Sequence, residues 1–169
     1  CVACRVLEKL ILIRLMEFCV KQEIISTRQH GFVSSRSTVT QMLSCLSIWT
    51  KAIDKKEIVN IAYLDFSKAF DKVSHPKLIA VLYQVGVRGK LLRWIQNFLT
   101  GRTQVVRINN VESYEREVES GVPQGSVLGP LLFIIYISDL SKIVKNSQLY
   151  LYADDCKLFF SCHPAKRGE

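Results

Sequence analysis

Apolar positions recur at helical spacing in two early stretches of the chain. Val6, Leu7, Leu10, Ile11, Leu15 and Phe18 form one face, and Val39, Met42, Leu43, Leu46, Trp49 and Ile53 form another. Each predicts an amphipathic helix. Ser37 or Thr38 is placed to cap the second. Glu8, Lys9, Arg14 and Glu17 interrupt residues 6–20, which excludes a membrane span or the apolar core of a signal peptide there. Between the two helices, residues 26–37 are polar and basic, with Arg28, His30, Gly31 and Arg36, and predict a loop or short hairpin.

Downstream the period changes. Residues 58–66 (IVNIAYLDF) are a short, mostly apolar run with β-branched residues, the pattern of a strand buried on at least one face, and the run carries an acid, Asp65, at its end. Helices are predicted over residues 76–84 and 89–99, with Pro76 in a first turn and Gly86 and Gly101 as stops. A hairpin is predicted over residues 103–108 and 111–118, around Asn109-Asn110. Residues 121–130 (GVPQGSVLGP) form a glycine-rich loop that feeds an apolar helix over residues 131–140. Residues 148–152 and 157–161 are strand-like and flank Ala153-Asp154-Asp155-Cys156, which predicts a hairpin with paired carboxylates at its tip. Helices mixed with antiparallel pairs make the expected class α+β.

With 169 residues, 49% of them hydrophobic, the chain can bury a core of ordinary domain size. The net charge of +8 leaves two readings open, a polyanionic partner such as nucleic acid or an inert basic surface. Six cysteines scattered through apolar contexts, with no secretory signal, suit buried thiols in a reducing compartment. Cys1-x-x-Cys4 has no second pair to complete a zinc site, and His163 beside Cys162 is a poor substitute. A start without methionine and a stop soon after a strand pattern suggest a fragment of something longer.

The chemistry sits with the acids. Adjacent carboxylates at Asp154 and Asp155 repel each other, and a bound cation offsets that repulsion. Magnesium, a hard ion preferring oxygen ligands, is the natural candidate. Taken alone, the pair also reads as a solvated turn. Asp65 shifts the balance, because carboxylates at the ends of neighbouring strands can converge on one site, and three suffice to hold the two metals of nucleotidyl transfer. Asp71 reads instead as a cap or salt-bridge partner. Phe70 is either a core aromatic or a ring closing the space that a ribose 2′-hydroxyl would need. Pro123-Gln124-Gly125 offers a rigid residue, an amide able to hydrogen-bond a sugar or base, and close backbone approach, although for the tripeptide alone an ordinary turn before a helix is the better reading. Arg28 and Arg36 can fork onto a triphosphate or simply lie solvated.

Taken in order, AYLDFSKAFDKVSH, SGVPQGSVLGPLLFIIYISDL and YLYADDCKLF resemble motifs A, B and C of reverse transcriptases, and the match is closest to non-LTR, LINE-like retrotransposons. RQHGFVSSRST resembles their fingers motif, so the resemblance covers nearly the whole chain. It implies a right-hand polymerase fold with an antiparallel palm sheet and packed helices. Residues 1–57 would be partial fingers and residues 58–169 partial palm, with the thumb missing. It implies Asp65, Asp154 and Asp155 as catalytic metal ligands for two Mg2+ ions, for which Mn2+ can substitute, with Asp65 and Asp154 bridging both and Asp155 in support. Phe70 would be the steric gate, and Gln124 and Gly125 the nucleotide-binding loop. Val33 stands where many relatives carry arginine, so the fingers' grip on the triphosphate would rest on Arg36.

The implied activity is RNA-directed DNA synthesis from dNTPs onto a primer 3′-hydroxyl, with an RNA template and a DNA primer as partners. No membrane partner is expected. The implied location is intracellular, in the nucleus or cytoplasm within a ribonucleoprotein. Competing readings are an inactive nucleic-acid-binding remnant, a group II intron-type maturase, or an RNA-dependent RNA polymerase.

Overall fold

A computed structural model describes residues 2–164. In chain order the elements are α1 (Val2–Lys21), α2 (Thr38–Asp54), β1 (Ile58–Leu64), α3 (His75–Gln84), α4 (Gly89–Leu99), β2 (Thr103–Gln104), β3 (Arg107–Ile108), β4 (Val111–Glu112), β5 (Arg116–Glu117), α5 (Gly129–Tyr136), α6 (Leu140–Ile143), β6 (Gln148–Tyr152) and β7 (Asp155–Cys162). This is the expected mixture of helices and antiparallel strands. Cys1, half of the CxxC pair, lies outside the described residues. None of the described helices is long and apolar enough to cross a membrane.

The chain divides into two compact units, each assembled from separated stretches.

One unit joins the first turns of α1 to Lys68–Tyr136. Here α3 packs on α4 and α5, burying Leu78, Leu82, Ile95, Leu99, Leu131, Leu132, Phe133, Ile134 and Ile135. Pro76 occupies the first turn of α3, where no donor is needed. The hairpin expected between residues 103 and 118 forms as two ladders of two residues per strand, β2 with β5 and β3 with β4. Between the ladders Val106 and Ser113 face each other, with Ser113 N–H donating to the Val106 carbonyl at 2.9 Å and Val106 N–H to the Ser113 side-chain oxygen at 2.9 Å. The helix expected over residues 131–140 is likewise split, since α5 ends at Tyr136 and α6 starts at Leu140 after a turn closed by Leu140 N–H on the Ile137 carbonyl.

The other unit contains Glu17–Ser67 and the chain from Ile137 onward. Its sheet has the order β1-β7-β6, antiparallel throughout. Successive side chains on a strand alternate between faces. One set, Leu149, Leu151 and Cys156, is buried with Ile137, Leu140, Val144 and Leu158 packed against it. On β7 the alternate residue Phe159 is buried, with Trp49 of α2 edge-on at 5.5 Å and Tyr150 stacked at 5.7 Å. Residues 26–31, expected as a loop or hairpin, add a short parallel bridge to β6 at Gln29 and Leu151.

Two expectations about burial are corrected. Strand β1 is only half-buried at its start and exposed from Ile61 on, with Tyr63 64% exposed. Its apolar residues outnumber the neighbours available to cover them, because β1 is hydrogen-bonded to β7 alone among the described strands. Helix α2 exposes the stripe Val39, Met42, Leu43, Leu46 and Ile53, while Gln41, Cys45 and Ala52 are its buried residues. Ser37 caps this helix in a capping box with Thr40.

Candidate active site

The ladder between β1 and β7 places two of the acids. Leu64 pairs with Cys156 at the last position of the ladder, so Asp65, directly after β1, and Asp155, the first residue of β7, both lie at that end of the sheet. Tyr152 pairs with Asp155 and closes a two-residue turn, Ala153-Asp154. Asp65 and Asp155 border one cavity of about 290 Å³ together with Thr38, Gln41, Tyr63, Tyr152 and Lys157. Asp154 is half-buried in the turn and does not line that cavity. Among the described residues no hydrogen bond or ion pair engages any of these three carboxylates, nor are three or more His, Cys, Asp or Glu side chains gathered closely enough to grip an ion. Like charges with nothing between them gain nothing by converging. The donor set itself, all carboxylate oxygen and otherwise uncommitted at one end of a sheet, fits a hard divalent cation such as magnesium or manganese.

Beside this cavity, Lys157 Nζ donates to Gln41 Oε1 at 2.5 Å, and Gln41, only 1% exposed, leaves its Nε2 without a partner. Burial lowers the His30 pKa below the ordinary 6.5, helped by the positive charges of Arg36 and Lys157. Its Nδ1 lies 3.0 Å from Thr40 Oγ1.

The segment over residues 26–36 is held by its own polar atoms. Arg36 Nη1 donates to the carbonyls of Ser26 at 3.0 Å and Gln29 at 2.6 Å, so this nitrogen closes the loop. A phosphate contact would fall to the other guanidinium nitrogens. The Arg28 guanidinium lies over the Tyr150 ring at 5.8 Å. Gln29 is 3% exposed and turns its side-chain amide toward Ala153.

In the other unit, the glycine-rich loop is tied to the segment after Lys68. Val122 N–H donates to the Phe70 carbonyl at 3.0 Å, Gly121 N–H to the Val73 carbonyl at 2.8 Å, and Ser120 Oγ to the Asp71 carbonyl at 2.8 Å. Gly121 has φ +87, and a β-carbon there would meet the Asp71 backbone at 2.9 Å. Gly125 also has positive φ, with open space where a β-carbon would point. Glycine is favoured at 125 by conformation alone. Gln124 is exposed and donates from Nε2 to Asp71 Oδ1 at 2.7 Å. Phe70 stacks on Phe133 with centroids 4.1 Å apart. Lys68, Asp71, Arg102, Arg116 and Gln124 border a cavity of about 1270 Å³. Arg102, its pKa lowered by burial, donates to the carbonyls of Leu99 and Gly121.

Three residues have roles that the sequence pattern does not reveal. Asp71 is the acceptor for Gln124, and among the described residues it is neither a helix cap nor an ion-pair partner. Glu8 is only 7% exposed, and its Oε2 accepts from the N–H groups of Val127 at 2.8 Å and Leu128 at 3.1 Å, just ahead of α5. Gln29 is the third. The signal available for all three is a polar residue inside or beside a motif, with no hint of its partner.

Residues 1–165 match the family described as "Reverse transcriptase (RNA-dependent DNA polymerase)". The probable RNA-directed DNA polymerase from transposon BS of Drosophila melanogaster is 35% identical over 95% of this chain and 19% of its own length. That from transposon X-element of the same species is 35% identical over 89% of this chain and 17% of its own. The chain thus spans about a fifth of the length of the curated relatives it matches. A solved structure of telomerase from Candida tropicalis, in complex with a fragment of telomeric RNA, superposes with a TM-score of 0.68 at 12% identity, over 89% of this chain and 28% of that one. That similarity establishes the polymerase fold.

Proposed function

The chain belongs to the reverse transcriptase family, of the type found in non-LTR retrotransposons, and on that premise we propose that it forms the nucleotidyl-transfer site of an RNA-directed DNA polymerase. The observation that supports the reading is that the β1–β7 ladder ends with Leu64 on Cys156, leaving Asp65 and Asp155 at one end of the sheet and bordering one cavity, next to the turn that holds Asp154. Asp65, Asp154 and Asp155 hold two divalent ions, Mg2+ with Mn2+ as a substitute. Bound there, these ions supply activation of the primer 3′-hydroxyl and neutralise charge on the transferring phosphoryl group and departing pyrophosphate.

The protein's own groups do the rest. Asp65 and Asp154 orient the reactive end of the site, with Asp155 in support. Gln124 and Gly125 receive the incoming dNTP through an amide donor and an open backbone approach. Phe70, braced by Phe133, excludes the ribose 2′-hydroxyl. Arg36 adds a phosphate contact from its uncommitted nitrogens. Partners are an RNA template and a DNA primer, met inside the cell within a ribonucleoprotein, and the positive net charge favours both.

The test is primer extension by the full-length element protein on an RNA template, with dNTPs and with rNTPs. Metal-dependent extension with dNTPs is expected. Binding to the primer–template without any extension would favour the inactive remnant, and extension with rNTPs in preference would favour an RNA polymerase.

A further inference from the structure

The β6–β7 turn contains an unfavourable residue. Ala153 has φ 54, in the left-handed region that a residue with a β-carbon rarely occupies without outside support. It directly precedes Asp154, so its backbone angles set the direction in which the Asp154 carboxylate leaves the turn.

The support comes from the segment at residues 28–31. Gln29 Oε1 accepts from Ala153 N–H at 2.9 Å, and its Nε2 faces the Ala153 carbonyl at 3.4 Å. The same Oε1 accepts from Gly31 N–H at 2.8 Å. One side-chain amide therefore brackets both backbone polar groups of the strained residue. The backbone reinforces it, with His30 N–H on the Leu151 carbonyl at 2.8 Å and Leu151 N–H on the Arg28 carbonyl at 3.0 Å. The approach is close enough that a β-carbon at Gly31 would overlap the Ala153 nitrogen. Only a glycine there leaves the turn where it is. An apolar residue at 29 would fill the same volume, yet it would leave the Ala153 and Gly31 amides buried and unpaired.

We propose that Gln29 is a positioning residue for the polymerase reaction: its carboxamide holds Ala153 in the left-handed conformation and thereby aims Asp154. The inference rests on the reading of Asp154 as a metal-binding acid. Gln29 itself touches neither substrate nor ion.

The experiment uses the full-length element protein with Gln29→Ala, Ala153→Gly and the double substitution. Glycine adopts positive φ without support, so it should restore part of what loss of the bracket removes. Gln29→Ala is expected to lower kcat for RNA-templated extension by about tenfold or more, because small misplacements of reacting groups are costly. KM for dNTP should move far less. Adding Ala153→Gly should recover several-fold of the lost kcat, which a merely destabilised fold would not do. Hydrogen–deuterium exchange of the peptide over residues 150–156 should quicken in Gln29→Ala. If Gln29→Ala does not fold, Gln29→Glu keeps the acceptor and drops the donor, and is expected to give an intermediate kcat.

Unchanged exchange in that peptide, or a double variant no better than the single, overturns the positioning role. Quickened exchange combined with full activity of an Asp154→Asn protein would leave the bracket standing and overturn the catalytic reading instead.

Discussion

Gln124 donates from its side-chain nitrogen to Oδ1 of Asp71 across 2.7 Å, joining two motifs that lie 53 residues apart in the chain. The bond fixes an exposed amide that would otherwise sample many rotamers, at the position proposed to receive the nucleotide. Asp71→Ala should raise KM for dNTP by about tenfold, the worth of one hydrogen bond to a charged group, with a smaller fall in kcat. Steady-state kinetics on an RNA template would check it, and an unchanged KM would mean that Gln124 needs no such anchor.

Phe70 is held by its stack on Phe133, so shortening it opens space at a defined point of the proposed nucleotide site. Phe70→Val should reduce the preference for dNTP over rNTP by about tenfold or more, since rejection of a hydroxyl here rests on bulk alone. The ratio of kcat/KM for the two substrates reads the effect directly. An unaltered ratio would return Phe70 to the role of a core aromatic.

Burial of Glu8 is tolerable because two backbone N–H groups share its Oε2. Glu8→Ala should destabilise the protein by about 2 kcal/mol, the cost of leaving buried donors unpaired, and Glu8→Gln by less, since an amide oxygen still accepts. Denaturant melts would measure both. Equal losses would show that the charge, not the acceptor, matters.

His30 carries a pH dependence. Burial, Arg36 and Lys157 all lower its folded-state pKa below 6.5, so the unfolded chain binds the proton more readily. Stability is then fully present above about pH 6.5 and falls as the pH drops from there toward the folded-state value. Denaturation midpoints at pH 7.5 and 5.5 should differ more in the native chain than in a His30→Gln variant. A pH slope untouched by that substitution would assign the effect to other groups.

Much of this site is legible in the order of residues alone. Alternation of apolar and polar positions places β6 and β7, and the apolar run of β1, with its Ile and Val residues, locates Asp65 just past a strand end. The face of α2 is not legible in that way. Periodicity shows that Val39, Met42, Leu43 and Leu46 share one side, but not that Gln41 and Cys45 occupy the side against the sheet. Likewise a charge inside a helical pattern, as at Glu8, reads as surface until its acceptor role for distant amides is seen. Gln29 illustrates the same limit, since its partner Ala153 lies 124 residues away.

If Asp65, Asp154 and Asp155 share divalent cations, those ions can be counted. Electron paramagnetic resonance of Mn2+ bound to the full-length protein, with primer–template and an unreactive dNTP analogue, does so without relying on turnover. About two bound ions are expected, at least one of them lost in Asp65→Asn and again in Asp154→Asn. Manganese bound equally by the native protein and both variants would contradict the shared site.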